Sequence, residues 1–154
     1  MVVGALEVGV WYRSPEWASG NQYLIEIEPI RDLESVQLVG LEMHGPGMEF
    51  LGPAESIVFY SPADGEGQTP VSGDFVIVHR QRADGRVEAT VKLMHIDEAG
   101  DRWLLAEPTR HSYWGDIRLD GSRDAGAVKV VGVVRAVWSA TKPADFDWAS
   151  RLSS

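Results

Sequence analysis

Asp74-Phe75-Val76-Ile77-Val78-His79-Arg80 and Val87-Glu88-Ala89-Thr90-Val91-Lys92-Leu93-Met94 flank the short stretch Ala83-Asp84-Gly85. Both flanks carry β-branched residues at strand density, and the Asp-Gly pair between them is a hairpin turn signal. The reading is an antiparallel pair, and a period of two spreads outward from it. Downstream, Arg102-Trp103-Leu104-Leu105-Ala106 follows the turn Glu98-Ala99-Gly100-Asp101, and residues 128–138 form the most β-branched segment, interrupted by Gly132. Upstream, residues 22–28 alternate apolar and polar up to Pro29, and residues 35–43 alternate again until Gly45-Pro46-Gly47. Residues 56–60 are an apolar run between Pro53 and Pro62. Each reads as a strand. No segment sustains a helical stripe, and 8 prolines and 16 glycines punctuate the chain. The pattern predicts an all-β fold of short, mostly antiparallel strands.

A length of 154 residues suits one domain with a single core. We read residues 1–141 as that domain and residues 142–154 as a polar C-terminal tail carrying Phe146 and Trp148. Residues 64–70 read as an exposed loop. A net charge of −9 argues against a self-sufficient nucleic-acid binder, whose affinity rests on neutralising phosphates. With no cysteine, disulfides, thiolate zinc sites and cysteine nucleophiles are excluded together. No run approaches the roughly 20 apolar residues of a membrane helix. The start, Met1-Val2-Val3-Gly4-Ala5-Leu6-Glu7, lacks the positive region of a secretion signal. The expectation is a soluble, cytoplasmic protein without membrane contact.

Few residue patterns point to chemistry. His44, His79, His95 and His111 lack metal-ligand spacing, so no metal and no cofactor is expected. Gly45-Pro46-Gly47 and Gly65-Glu66-Gly67 do not open helices, and proline removes an N–H that a phosphate would need. Glu26 and Glu28 share one face of a strand, as acids on solvated sheets commonly do. The six tryptophans suit packing as well as a sugar platform. Lys92 stands out, because it interrupts Thr90-Val91-Lys92-Leu93-Met94. Alternation puts Thr90, Lys92 and Met94 on one face and Val91 and Leu93 on the other. One reading is an exposed lysine on a wet face. The other is a desolvated lysine whose neutral amine serves as a base.

Three stretches together resemble the C-terminal domain of LexA-like and lambda-type phage repressors, a serine–lysine self-cleaving peptidase fold related to signal peptidases. Gly4-Ala5-Leu6-Glu7-Val8-Gly9-Val10-Trp11 is similar to the cleavage-site region, whose scissile bond is Ala-Gly. Leu41-Glu42-Met43-His44-Gly45-Pro46-Gly47-Met48 is similar to the segment ending Gly-Asp-Ser-Met, which carries the nucleophile. Ser72-Gly73-Asp74-Phe75-Val76-Ile77-Val78, followed by the strand of Lys92, is similar to the Gly-Asp strand and the partner bearing the general base. Val130-Val131-Gly132-Val133-Val134 matches the closing strand. The likeness runs from about Val3 to Trp138.

The departures fall on the chemistry. Gly47 takes the nucleophile position, Pro46 the preceding Asp, and Val8-Gly9 the scissile pair. Glycine has no hydroxyl for Lys92 to deprotonate, so the covalent step is lost. Ser35 and Ser56 do not precede a Met in the expected turn. The resemblance therefore implies a pseudo-peptidase with Lys92 as a vestigial base. Its expected role is a non-cleaving dimerisation and regulatory domain of a repressor. It would act as a homodimer, with DNA read only through a separate N-terminal domain. Residues 128–138 and the Trp/Phe tail are candidates for the dimer surface. Two alternatives stand beside this: an active serine–lysine autopeptidase using another serine, and a peptide or small-molecule sensor built on the vacated cleft.

Overall fold

The computed structural model describes residues 1–33, 35–63, 69–105, 117–119 and 128–139. The hairpin that decides the fold is formed by β4 (Phe75–Gln81) and β5 (Val87–Ile96), paired antiparallel from Phe75↔Leu93 to Gln81↔Val87. Around it stand β1 (Val2–Leu6), β2 (Val39–Met43), β3 (Ile57–Pro62), β6 (Arg102–Leu105), β7 (Ile117–Arg118) and β8 (Val128–Trp138). The order in the sheet is β1-β2-β3-β8-β4-β5-β6-β7. The β1/β2 pair is parallel, and the remaining pairs are antiparallel.

This sheet closes on itself. Beyond β1, the Glu7 N–H donates to the Ala89 carbonyl at 3.1 Å, and Tyr12 and Val87 exchange backbone bonds of 2.9 and 2.8 Å. The chain after β1 therefore pairs with the free edge of β5, and β1-β2-β3-β8-β4-β5 becomes a barrel. Closure removes two edges that would otherwise be open to pairing. Side chains from five of these strands meet inside, among them Leu6, Leu41, Met43, Val58, Tyr60, Ile77 and Val91, together with Met48 from the turn after β2. The outer face carries two further clusters. Val76, Val78, Met94, Leu104 and Val133 form one, and Val2, Ile57 and Phe59 form the other.

Strand β8 bends to serve both neighbours. Its register shifts once against β3, between Phe59 and Tyr60, and once against β4, between Ile77 and Val78. Such bulges add local twist and curvature. Gly132 lies where β8 passes closest to β3. A Cβ there would overlap the Ser61 carbonyl oxygen and the Tyr60 ring.

The alternation of residues 22–28 does not make a strand. Tyr23 forms an isolated bridge to Val2, while Ile25 and Ile27 pack over Val2, Ile57 and Phe59 on the outside of the barrel. Alternation reports one buried side, and a covering segment buries one side without a ladder. Glu26 and Glu28 accordingly share no strand. Residues 35–43 enter the sheet only from Val39. Strand β1 escapes a periodicity search because all five of its residues are buried, on both faces. His111, Trp114 and the tail at 142–154 lie outside the described residues, as do residues 64–68 of the exposed loop. No helix among the described residues is long and apolar enough to cross a membrane.

Candidate functional site

The Val8-Gly9 pair lies in a turn, not a strand. Val10 N–H reaches back to the Glu7 carbonyl at 3.5 Å, and Gly9 has φ +79°. Glycine in the third position of a four-residue turn is the type II arrangement, in which positive φ carries no Cβ penalty. The Val8-Gly9 peptide is thus the central peptide of a tight turn at the closing seam.

A second turn lies against it. Strand β2 ends at Met43, the His44 N–H donates to the Leu6 carbonyl at 2.8 Å, and the chain turns through Gly45 and Gly47 with φ +71° and +113°. A Cβ on Gly47 would stand 3.0 Å from Val8 Cγ2, and one on Gly45 would stand 3.4 Å from Glu7 Cγ. Sequence reasoning paired Val8-Gly9 with Gly47, and the two turns do meet. The same geometry would press a side chain at position 47 against Val8, in a backbone conformation that L residues rarely adopt. The Gly47 N–H donates to both carboxylate oxygens of Glu49, at 3.0 Å each.

A third element fixes the peptide. Gly9 N–H donates to Glu88 Oε2 at 2.6 Å, and Glu88 is buried, with Arg80 Nη1 3.6 Å from its other oxygen. Arg80 and Arg82 hold their guanidinium groups 5.8 and 4.8 Å from the centroid of the Trp11 ring. Tyr12 donates to Glu7 Oε1 at 2.9 Å. Burial raises the phenol pKa above its ordinary value, and the Glu7 carboxylate raises it further.

Lys92 is buried at 8% exposure, so it does not occupy a wet face. It pairs with Val76 across the hairpin, on the face opposite the interior residues Ala89 and Val91. That face is the one bearing Glu88, and four residue steps separate the two by about 13 Å along β5. The group that meets the Val8-Gly9 amide is Glu88. Sequence reasoning passed over Glu88, although an acid at Val87-Glu88-Ala89, in step with Thr90 and Lys92, was a legible signal. Ser56, the nearest alternative hydroxyl in the sequence, is fully buried and donates to the Pro53 carbonyl at 2.6 Å.

Acyl transfer needs a nucleophile and N–H donors aimed at the developing oxyanion. Here position 47 has no hydroxyl, its N–H is taken by Glu49, and a second carboxylate accepts the N–H of the peptide itself. The two N–H groups of the contact, those of Gly9 and Gly47, are both bound to carboxylates and so are not free to serve as oxyanion donors. Among the described residues, no group of three or more His, Asp or Glu is placed to hold a metal ion. No protein-family model matches this chain, and no curated protein matches its sequence.

Glu88 is the anchor of this site. Glu88→Ala removes a charge-assisted hydrogen bond of the kind that contributes about 1.5–3 kcal/mol, while its contact to the half-exposed Arg80 adds little. The expected result is a loss of about 2 kcal/mol in denaturant unfolding. Faster hydrogen exchange at Gly9 should accompany it, and unchanged protection there would remove the assigned anchor.

Proposed function

We propose that this chain is a pseudo-peptidase: a non-cleaving dimerisation and regulatory domain of a LexA-like or phage-type repressor, with DNA read by a separate domain. The observation that carries the reading is the contact of the Val8-Gly9 turn with Gly47, where the resemblance puts substrate against nucleophile. The substrate-like turn lies against a glycine, and the carboxylate that its own N–H meets is Glu88. Lys92 stays as a buried side chain, and the residue at position 47 carries no hydroxyl.

The test is an intact mass after prolonged incubation at alkaline pH, where a deprotonated lysine would favour cleavage in a working dyad. A single unchanged mass is expected, and Lys92→Ala should alter stability without altering that mass. Two fragments divided at Val8-Gly9 would overturn the proposal. Homodimer formation is checked by solution size measurement. Residues 128–138 are the described part of the proposed contact surface, and Val137 is 37% exposed at the end of that strand.

A further inference from the structure

A second concavity lies on the outside of the barrel, and strand register builds its floor. Glu42 of β2 pairs with Ile57 of β3, and Ile57 pairs with Trp138 of β8. Cross-strand partners point to the same face, so these three side chains stand in a row at the strand spacing of about 4.8 Å. Tyr23, His44 and Glu55 help to enclose a cavity of about 370 Å³ above them. That volume is near the lower end for ligand pockets, enough for one small molecule or one long side chain.

The chemistry of the lining is one-sided. Two acidic residues, Tyr23, Trp138 and His44 line the space beside two isoleucines, and no lysine or arginine is among the described lining residues. Glu42 accepts the Tyr23 hydroxyl through one oxygen, and its other oxygen is 2.8 Å from His44 Nε2. An ionised carboxylate has about four acceptor positions, so capacity remains after these two bonds. The Glu55 backbone N–H is tied to the Met43 carbonyl at 3.1 Å, which fixes where its carboxylate begins. Trp138 is partly exposed at the open end of β8, and indole is the best aromatic face for a cation. An anion would be repelled from this space, and a purely apolar guest would strip water from Glu42 without replacing it.

We propose that this cavity binds an organic cation, a primary ammonium or guanidinium on a short carbon chain, between the Glu42 and Glu55 carboxylates and the Trp138 ring. The proposal is independent of whether the chain cleaves itself. It also leaves open two sources of the same chemistry, a free amine or a lysine or arginine side chain of a peptide.

Calorimetric titration of the full chain tests it with three probes. They are agmatine, the peptide acetyl-Gly-Gly-Lys-Gly-Gly-amide, and butyrate as the anionic control. Saturable one-to-one binding of agmatine is expected, weakened about tenfold by Glu55→Gln. Binding of agmatine alone supports the proposal with a free amine as ligand, and binding of both cations supports it with a presented side chain. Glu55 is exposed, so its variant should keep the wild-type melting temperature. If Glu42→Gln does not fold, Trp138→Leu replaces it as the second variant. Absence of heat from both cations up to about 10 mM overturns the proposal, as does butyrate binding as tightly as agmatine. Undiminished agmatine affinity in both variants has the same consequence.

Discussion

Gly132→Ala lowers the melting temperature by roughly 6–12 °C, the shift expected when about 3 kcal/mol is lost from a domain of this size. The cost comes from where the new methyl must go. Its position overlaps the Ser61 carbonyl oxygen and the Tyr60 ring. A flexible side chain could retreat, but a carbonyl in mid-strand cannot. Gly132 is opposite Pro62 on one side and Ile77 on the other, so moving β8 away from β3 drives it into β4. Overpacking of this kind commonly costs 1–3 kcal/mol, and backbone overlap in a closed barrel sets it at the upper end. The thermal melt of the variant checks this. An unchanged midpoint would mean that the close approach of β3 and β8 is not as described.

Leu6→Ala is the second large effect, and it connects the core to the site. Leu6 has no exposed surface, and it packs inside the barrel with Met43, Met48 and Val91. Truncating such a leucine removes its transfer energy and leaves a cavity, together about 2–5 kcal/mol. Its carbonyl also accepts the His44 N–H that joins the two turns. The loss should therefore appear locally as well as globally. Limited proteolysis is expected to cut within residues 7–12 of the variant before the rest of the chain becomes susceptible. Leu24→Ala, at a 75% exposed position, serves as the control and should change stability by no more than about 0.5 kcal/mol. Resistance of the 7–12 segment in Leu6→Ala would dissociate the core from the turn.

What could be read in advance follows the physics of each segment. Strands β4, β5 and β8 announce themselves through β-branched runs and an Asp-Gly turn, which are local signals. Strand β1 is buried on both faces and has no alternation to detect. Residues 22–28 give the opposite error, because a strap lying on a barrel satisfies the same polar-apolar rhythm as a paired strand. At the site, the resemblance names Val8-Gly9 and Gly47, and Val8 does lie against Gly47. Glu88 has a signal in its register with Thr90 and Lys92, but the bonds that Glu88 and Glu49 accept come from backbone N–H donors that sequence does not mark. The burial of Lys92 depends on what covers its face of the hairpin, and periodicity alone ranked the exposed alternative first.

The bond from Glu7 to Ala89 spans 82 residues of chain. Contacts of that separation are slow to form, because a long loop must lose its freedom before any contact compensates it. During synthesis, the segment that follows the first strand can take its place only after the fifth strand has left the ribosome. The bond that holds the Val8-Gly9 peptide is thus acquired late.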